Sequence, residues 1–151
     1  MKSLLKILLA SVLMIGSSLL VNCQQKSIAQ EDCGSSTIGL SEAKKQAVGR
    51  WRLVSSKSGW TGDVKTPDKL LEMAIDDQQK ATLYEEGKET ISYQLVLEQP
   101  DKSIRYKTIN KSSGTSVVTL NQGVFSVCST KLIFDNTELD GNLYTYEKSK
   151  P

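Results

Sequence analysis

Three cysteines, Cys23, Cys33 and Cys128, and no histidine at all set the chemistry open to this chain. No two of the cysteines stand in a CxxC spacing, so neither a zinc knuckle nor a thioredoxin-type dithiol is written here. The lack of histidine removes the commonest metal ligand and the usual proton shuttle near neutral pH. Serines are plentiful, but none sits in a GxSxG elbow and no histidine base stands ready to activate one. Carboxylates adjoin at Glu31-Asp32, Asp76-Asp77 and Glu85-Glu86. Neighbours of that kind on turns mark solvated tips rather than two acids facing across a scissile bond. The chain therefore reads as a non-enzyme, with no cofactor and no metal.

Charge narrows the partners. Lys2 and Lys6 belong to an acid-free stretch over residues 1–22, and the remaining 17 basic residues face 17 acidic ones, so the rest of the chain is formally neutral. Nucleic acid, which calls for a basic stripe against phosphates, is excluded as a partner on that ground. Residues 1–22 read as a signal peptide: a positive start, then an uncharged, mainly apolar run over residues 7–21. That run falls short of the roughly 20 residues a membrane-spanning helix needs. Two processing sites follow. Leu20-Val21-Asn22-Cys23 resembles a bacterial lipobox, which implies lipidation of Cys23 and a membrane-anchored lipoprotein on the periplasmic or outer-membrane face. The rival site, Ser27-Ile28-Ala29, would release a secreted protein beginning at Gln30.

Either cut places the domain in an oxidising, extracytoplasmic compartment, where disulfides form. With Cys23 lipidated or removed, Cys33 and Cys128 are left as a pair able to bridge. The alternative leaves Cys128 as a small buried apolar residue and Cys33 as a free thiol.

The elements that must carry these groups fall into three parts. Residues 23–39 are small and polar with no periodic apolar face, and read as a flexible tether. Ser41 is placed to cap a two-turn helix over residues 42–48, with Leu40, Ala43 and Ala47 on one side and Gly49 as its stop. From Arg50 the pattern changes to short β-branched and aromatic segments separated by turn residues. Strands are expected over 50–56, 70–76, 80–85, 89–98, 103–110, 115–121, 123–128, 131–135 and 142–148, with turns that include Ser113-Gly114 and Gln122-Gly123. Alternation puts Trp51 and Leu53 on one face, as it does Leu71, Met73 and Ile75, and Ile91, Tyr93, Leu95 and Leu97. Hairpin links throughout predict an all-β fold over residues 40–151: an antiparallel up-and-down β-barrel of eight to nine strands with a short N-terminal helix. A two-sheet sandwich is the competing closure.

Gly49-Arg50-Trp51, after a short helix and at the head of the first strand, resembles the G-x-W signature of lipocalins. The surrounding VGRWRLVSSKSGWTGD, the Tyr84-Glu85-Glu86-Gly87-Lys88 hairpin and the closing Tyr144-Thr145-Tyr146-Glu147-Lys148 are similar to small bacterial lipocalin-like proteins of the Bacteroidota type. The resemblance implies that Trp51 packs across the closed end of the barrel. No arginine follows the last strand to stack on that ring, and Lys148 is the cation nearby. It also implies a binding protein, monomeric, that holds a small apolar molecule among Leu53, Met73, Leu83, Tyr93, Leu95, Tyr106 and Phe125, with Phe134 beside them. Trp60, between Gly59 and Gly62 in the long loop over residues 57–69, reads either as a lid touching that ligand or as an aromatic folded on the rim. The reading from a different class is a cell-envelope interaction module with a filled barrel, such as a protease inhibitor or an assembly accessory.

Overall fold

The computed structural model describes Cys33 and residues 38–150. The signal peptide, Cys23 and its lipobox, the rival cut before Gln30, Glu31-Asp32 and most of the tether lie outside the described residues.

A helix, α1 (Leu40–Ala47), leads into nine strands: β1 (Gly49–Ser58), β2 (Val64–Lys65), β3 (Leu71–Ile75), β4 (Lys80–Glu85), β5 (Lys88–Glu98), β6 (Ile104–Ile109), β7 (Gln122–Val127), β8 (Lys131–Asp135) and β9 (Asn142–Lys148). A 3-10 turn, Thr137–Leu139, stands before β9. Every pairing is antiparallel, and β3 to β9 follow one another as neighbours. β1 closes the circle, pairing with β3 from Gly49 to Arg52 and with β9 from Trp51 to Ser58. The result is a closed eight-stranded barrel, with β2 added outside it against Ser56 and Lys57. Closure removes the free edges that a sandwich would retain.

The alternation expected from the sequence is the burial pattern found. Trp51, Leu53, Met73, Ile75, Ile91, Tyr93, Leu95 and Leu97 point into the core, and Leu71 packs against it half-buried. At one end α1 lies across the barrel, burying Ala43 and Ala47. Its carbonyl at Ala47 accepts a 2.8 Å hydrogen bond from Trp51 Nε1, which satisfies the one polar atom of a fully buried indole. Lys148 Nζ stands 5.0 Å from the centre of that ring, a cation–π contact at the end of β9. Gly49 makes room for it: its φ is +137°, and a Cβ there would come within 3.3 Å of Lys148 Cε. Trp51 thus helps close the helix end of the barrel. Cys33 and Cys128, bonded to each other, add a covalent tie at the same end, beyond the last residue of β7.

Three expectations are corrected. Ser41 does not cap α1; the helix starts at Leu40, Gly39 is its N-cap without a side-chain bond, and the Gly39 carbonyl accepts from the Ala43 N–H. Gln122-Gly123 is not a turn but the start of β7, with Gly123 opposite Tyr106. The strand expected over 115–121 does not exist, because residues 110–121 form one irregular segment between β6 and β7. Its first part runs along β5, where the Ser112 N–H donates to the Ser92 carbonyl (2.9 Å) and the Ser92 N–H donates to Ser112 Oγ (2.8 Å). Gly114 then turns it, at φ +152°, where a Cβ would stand 2.0 Å from the Thr90 carbonyl oxygen. From there the chain crosses the end of the barrel opposite α1. The apolar alternation of Val118 and Leu120 reflects burial in that mouth and not a ladder.

Candidate functional site

The mouth is built from the ends of β1, β5, β6, β8 and β9, and the irregular segment fills it. Val118 and Leu120 are 3% and 0% exposed and belong to the same core as the inward strand residues. What holds the segment there differs along its length. At its C-terminal end Thr108 Oγ1 donates to the Leu120 carbonyl (2.7 Å) and the Thr108 N–H to the Asn121 carbonyl (2.7 Å), extending the β6–β7 ladder. In the middle, the bonds to the barrel are long and run through side chains. The Thr119 N–H donates to the Tyr144 hydroxyl at 3.4 Å, and Asn136 Nδ2 donates to the Thr119 carbonyl at 3.3 Å. Bonds of that length are weak.

Beneath the segment lie four tyrosines from three strands. Tyr93 of β5, Tyr106 of β6 and Tyr144 and Tyr146 of β9 are all buried. The Tyr106 hydroxyl donates to Asn136 Oδ1. Asn136, itself buried, thereby links Tyr106, the plugging segment and the 3-10 turn, whose Leu139 N–H donates to the Asn136 carbonyl (3.0 Å). Tyr144 accepts from Asn142 Nδ2 (3.2 Å) as well as from Thr119. Tyr93 has a backbone hydrogen bond with Leu120. The Tyr146 hydroxyl alone of the four has no partner. Around them Phe134 makes edge-to-face contacts with Tyr106 (4.9 Å between ring centres), Phe125 (5.3 Å) and Tyr146 (6.1 Å).

Burial pushes the Tyr93, Tyr106 and Tyr146 phenols above their ordinary range, because the phenolate would be desolvated. A backbone hydrogen bond with Leu120 opposes the shift at Tyr93. For Tyr146 the neighbouring phenols add to it, and the hydroxyl remains a neutral donor.

Of the residues expected to line a ligand site, seven come together: Leu53, Met73, Leu83, Tyr93, Leu95, Tyr106 and Phe125 are contributed by β1 and β3 to β7, all facing the core. Trp60 does not join them. It is 79% exposed at the tip of the β1–β2 connection, and its indole is not part of the core. Tyr144, Tyr146, Asn136, Val118 and Leu120 complete the site and were not among the expected lining residues. The period-two spacing of Tyr144 and Tyr146 in β9 is the available signal; nothing local marks Asn136. A 220 Å³ cleft bounded by Val117, Thr119, Asn136, Leu139 and Tyr144 opens beside the plug. A larger one of 480 Å³ lies where β1 parts from β3, between Leu53 and the 66–70 stretch.

The carboxylate pairs do structural work at exposed turns. Asp76 Oδ1 accepts from the Gln78 and Lys80 N–H groups, Glu85 bonds Lys69 (2.7 Å), and Glu86 Oε1 accepts from the Leu70 N–H. Among the described residues no group of three or more His, Cys, Asp or Glu side chains could hold a metal. No helix among them is long and apolar enough to cross a membrane. The Cys33–Cys128 bridge fits an oxidising, extracytoplasmic compartment. The class this geometry defines is a closed antiparallel barrel with its helix end sealed and its mouth stopped by a loop. Comparison with protein-family models, curated proteins and solved structures finds no match to the chain.

Proposed function

We propose that the chain is a non-enzymatic, extracytoplasmic binding protein of lipocalin-like build, lipid-anchored through Cys23 and monomeric, whose barrel takes up a small apolar molecule. One observation carries this reading. The mouth is stopped not by barrel side chains but by Val118 and Leu120 of a segment with no strand pairing of its own across the opening. Those two side chains occupy apolar space that a guest of similar chemistry can take when the segment swings out. The long central hydrogen bonds make such movement inexpensive. The Gly49-Arg50-Trp51 signature and the sealed helix end support the same reading.

The test is binding of an environment-sensitive apolar fluorophore to the disulfide-bonded protein, wild type and Leu120→Ala. Binding is expected for the wild type and should tighten severalfold in the variant, because the plug then gives up less burial when it leaves. Absence of binding to both would sink the ligand-carrier reading. A second reading, an envelope interaction module, has its own observation. Among the described residues the exposed large apolar side chains Trp60, Val64, Leu70, Ile109, Val117 and Leu139 stand on connections, short elements and strand ends at the mouth end. Apolar residues gathered on one rim suit contact with a protein partner.

A further inference from the structure

Tyr146 is 1% exposed, sits in β9 opposite Leu53 and Leu132, and has a hydroxyl with no hydrogen-bond partner. A buried hydroxyl left unpaired is costly, and phenylalanine would fill the same volume without that cost. The three neighbouring phenols show the contrast, since each is engaged by Asn136, Thr119 and Asn142, or the Leu120 backbone. The free donor therefore stands beside the satisfied Tyr93, Tyr106 and Tyr144 phenols in the barrel core.

The charge of the surroundings sets what such a donor can take. Among the described residues the buried polar side chains are Ser92 and Asn136, and no Lys, Arg, Asp or Glu is buried. A carboxylate brought into this layer would meet phenols but no cation, and an ammonium would meet no carboxylate; both would be desolvated without compensation. A neutral acceptor, a carbonyl or ether oxygen, meets one fixed donor at little cost.

Resting on the reading of the barrel as a ligand carrier, we propose that the Tyr146 hydroxyl is the polar recognition point for the guest, and that the guest is a neutral, largely apolar molecule with a hydrogen-bond acceptor such as a ketone or ether. The apolar part takes the place of Val118 and Leu120, and the acceptor points down to Tyr146. Three probes of equal chain length separate the possibilities: methyl nonyl ketone, undecanoate and undecane, each competed against the apolar fluorophore on the full disulfide-bonded chain.

The ketone should compete about tenfold better than the hydrocarbon or the carboxylate, the worth of one buried hydrogen bond. Tyr146→Phe should lose that tenfold for the ketone, leave undecane unchanged, and melt at or above the wild-type temperature. Equal affinity of ketone and undecane, or ketone affinity untouched by Tyr146→Phe, overturns the assignment while the barrel stays a ligand carrier. Preference for undecanoate overturns the neutral class. Binding of none of the three, with the fluorophore also unbound, overturns the carrier reading itself. Should Tyr146→Phe fail to fold, the wild-type ketone-to-undecane ratio decides alone.

Discussion

Single residues carry unequal weight at the two ends of this barrel. Trp51 is fully buried, donates to Ala47 and lies beside Lys148, so its removal empties the closed end and strands a carbonyl. Trp51→Ala should cost about 3 to 5 kcal/mol, measured as the shift in urea midpoint at constant slope. Trp60, 79% exposed, should cost within about 0.5 kcal/mol when changed to alanine. An equal loss at both positions would contradict the placement of Trp60 outside the core. Lys148→Met tests the ring contact more finely: a loss of about 0.5 to 1 kcal/mol is expected in wild type and none in a Trp51→Leu background. Both tryptophans were legible in the sequence only in part. Strand alternation placed Trp51 correctly, because period two is imposed by the pleat itself. The glycines around Trp60 announced a loop but held no information about which way its indole points.

At the scale of elements, the strands were readable and the segment at 110–121 was not. All eight barrel strands follow from alternation and turn chemistry, which are local. Residues 115–121 carry the same alternation, yet Gly114 against the Thr90 carbonyl and the side-chain bonds from Tyr144 and Asn136 turn the chain across the mouth. Those partners come from β5, β9 and the stretch after β8, so no window around residue 118 contains the cause. The site inherits the same limit: seven inward residues follow from their own strands, the β9 tyrosines carry the same period-two signal, and the plug and Asn136 depend on tertiary placement. Gly114→Ala should unseat the segment, lowering the melting temperature while tightening apolar-probe binding, since less free energy then holds the plug in place. Loss of probe binding in this variant would count against the segment as a plug. The Cys33–Cys128 bridge spans 95 residues, and breaking it should cost up to about 4 to 5 kcal/mol on chain-entropy grounds. Reductant should therefore lower the melting temperature of the wild type and leave Cys128→Ala unmoved; equal response of the two would refute it.

For the whole molecule, the buried phenols tie stability to alkaline pH. Desolvation raises Tyr106 and Tyr146 above their unfolded value of about 10. A folded pKa above the unfolded one means the unfolded chain releases its proton first as pH rises. The contribution of each phenol is thus complete below about pH 10 and is lost as pH climbs towards the folded value, at up to about 1.4 kcal/mol per pH unit for each tyrosine. Urea stability should then stay level through neutral pH and fall steeply beyond about pH 10, with tyrosinate absorbance from these residues appearing together with loss of structure rather than before it. Tyr146→Phe should make that fall shallower by the share of one proton. Ionisation of Tyr106 or Tyr146 at the ordinary phenol pKa in a still-folded protein would show that water reaches the barrel interior. The same measurement bears on the carrier reading, because a guest that seals the mouth should hold the phenols protonated to higher pH and move the alkaline transition upward in proportion to its concentration over its Kd.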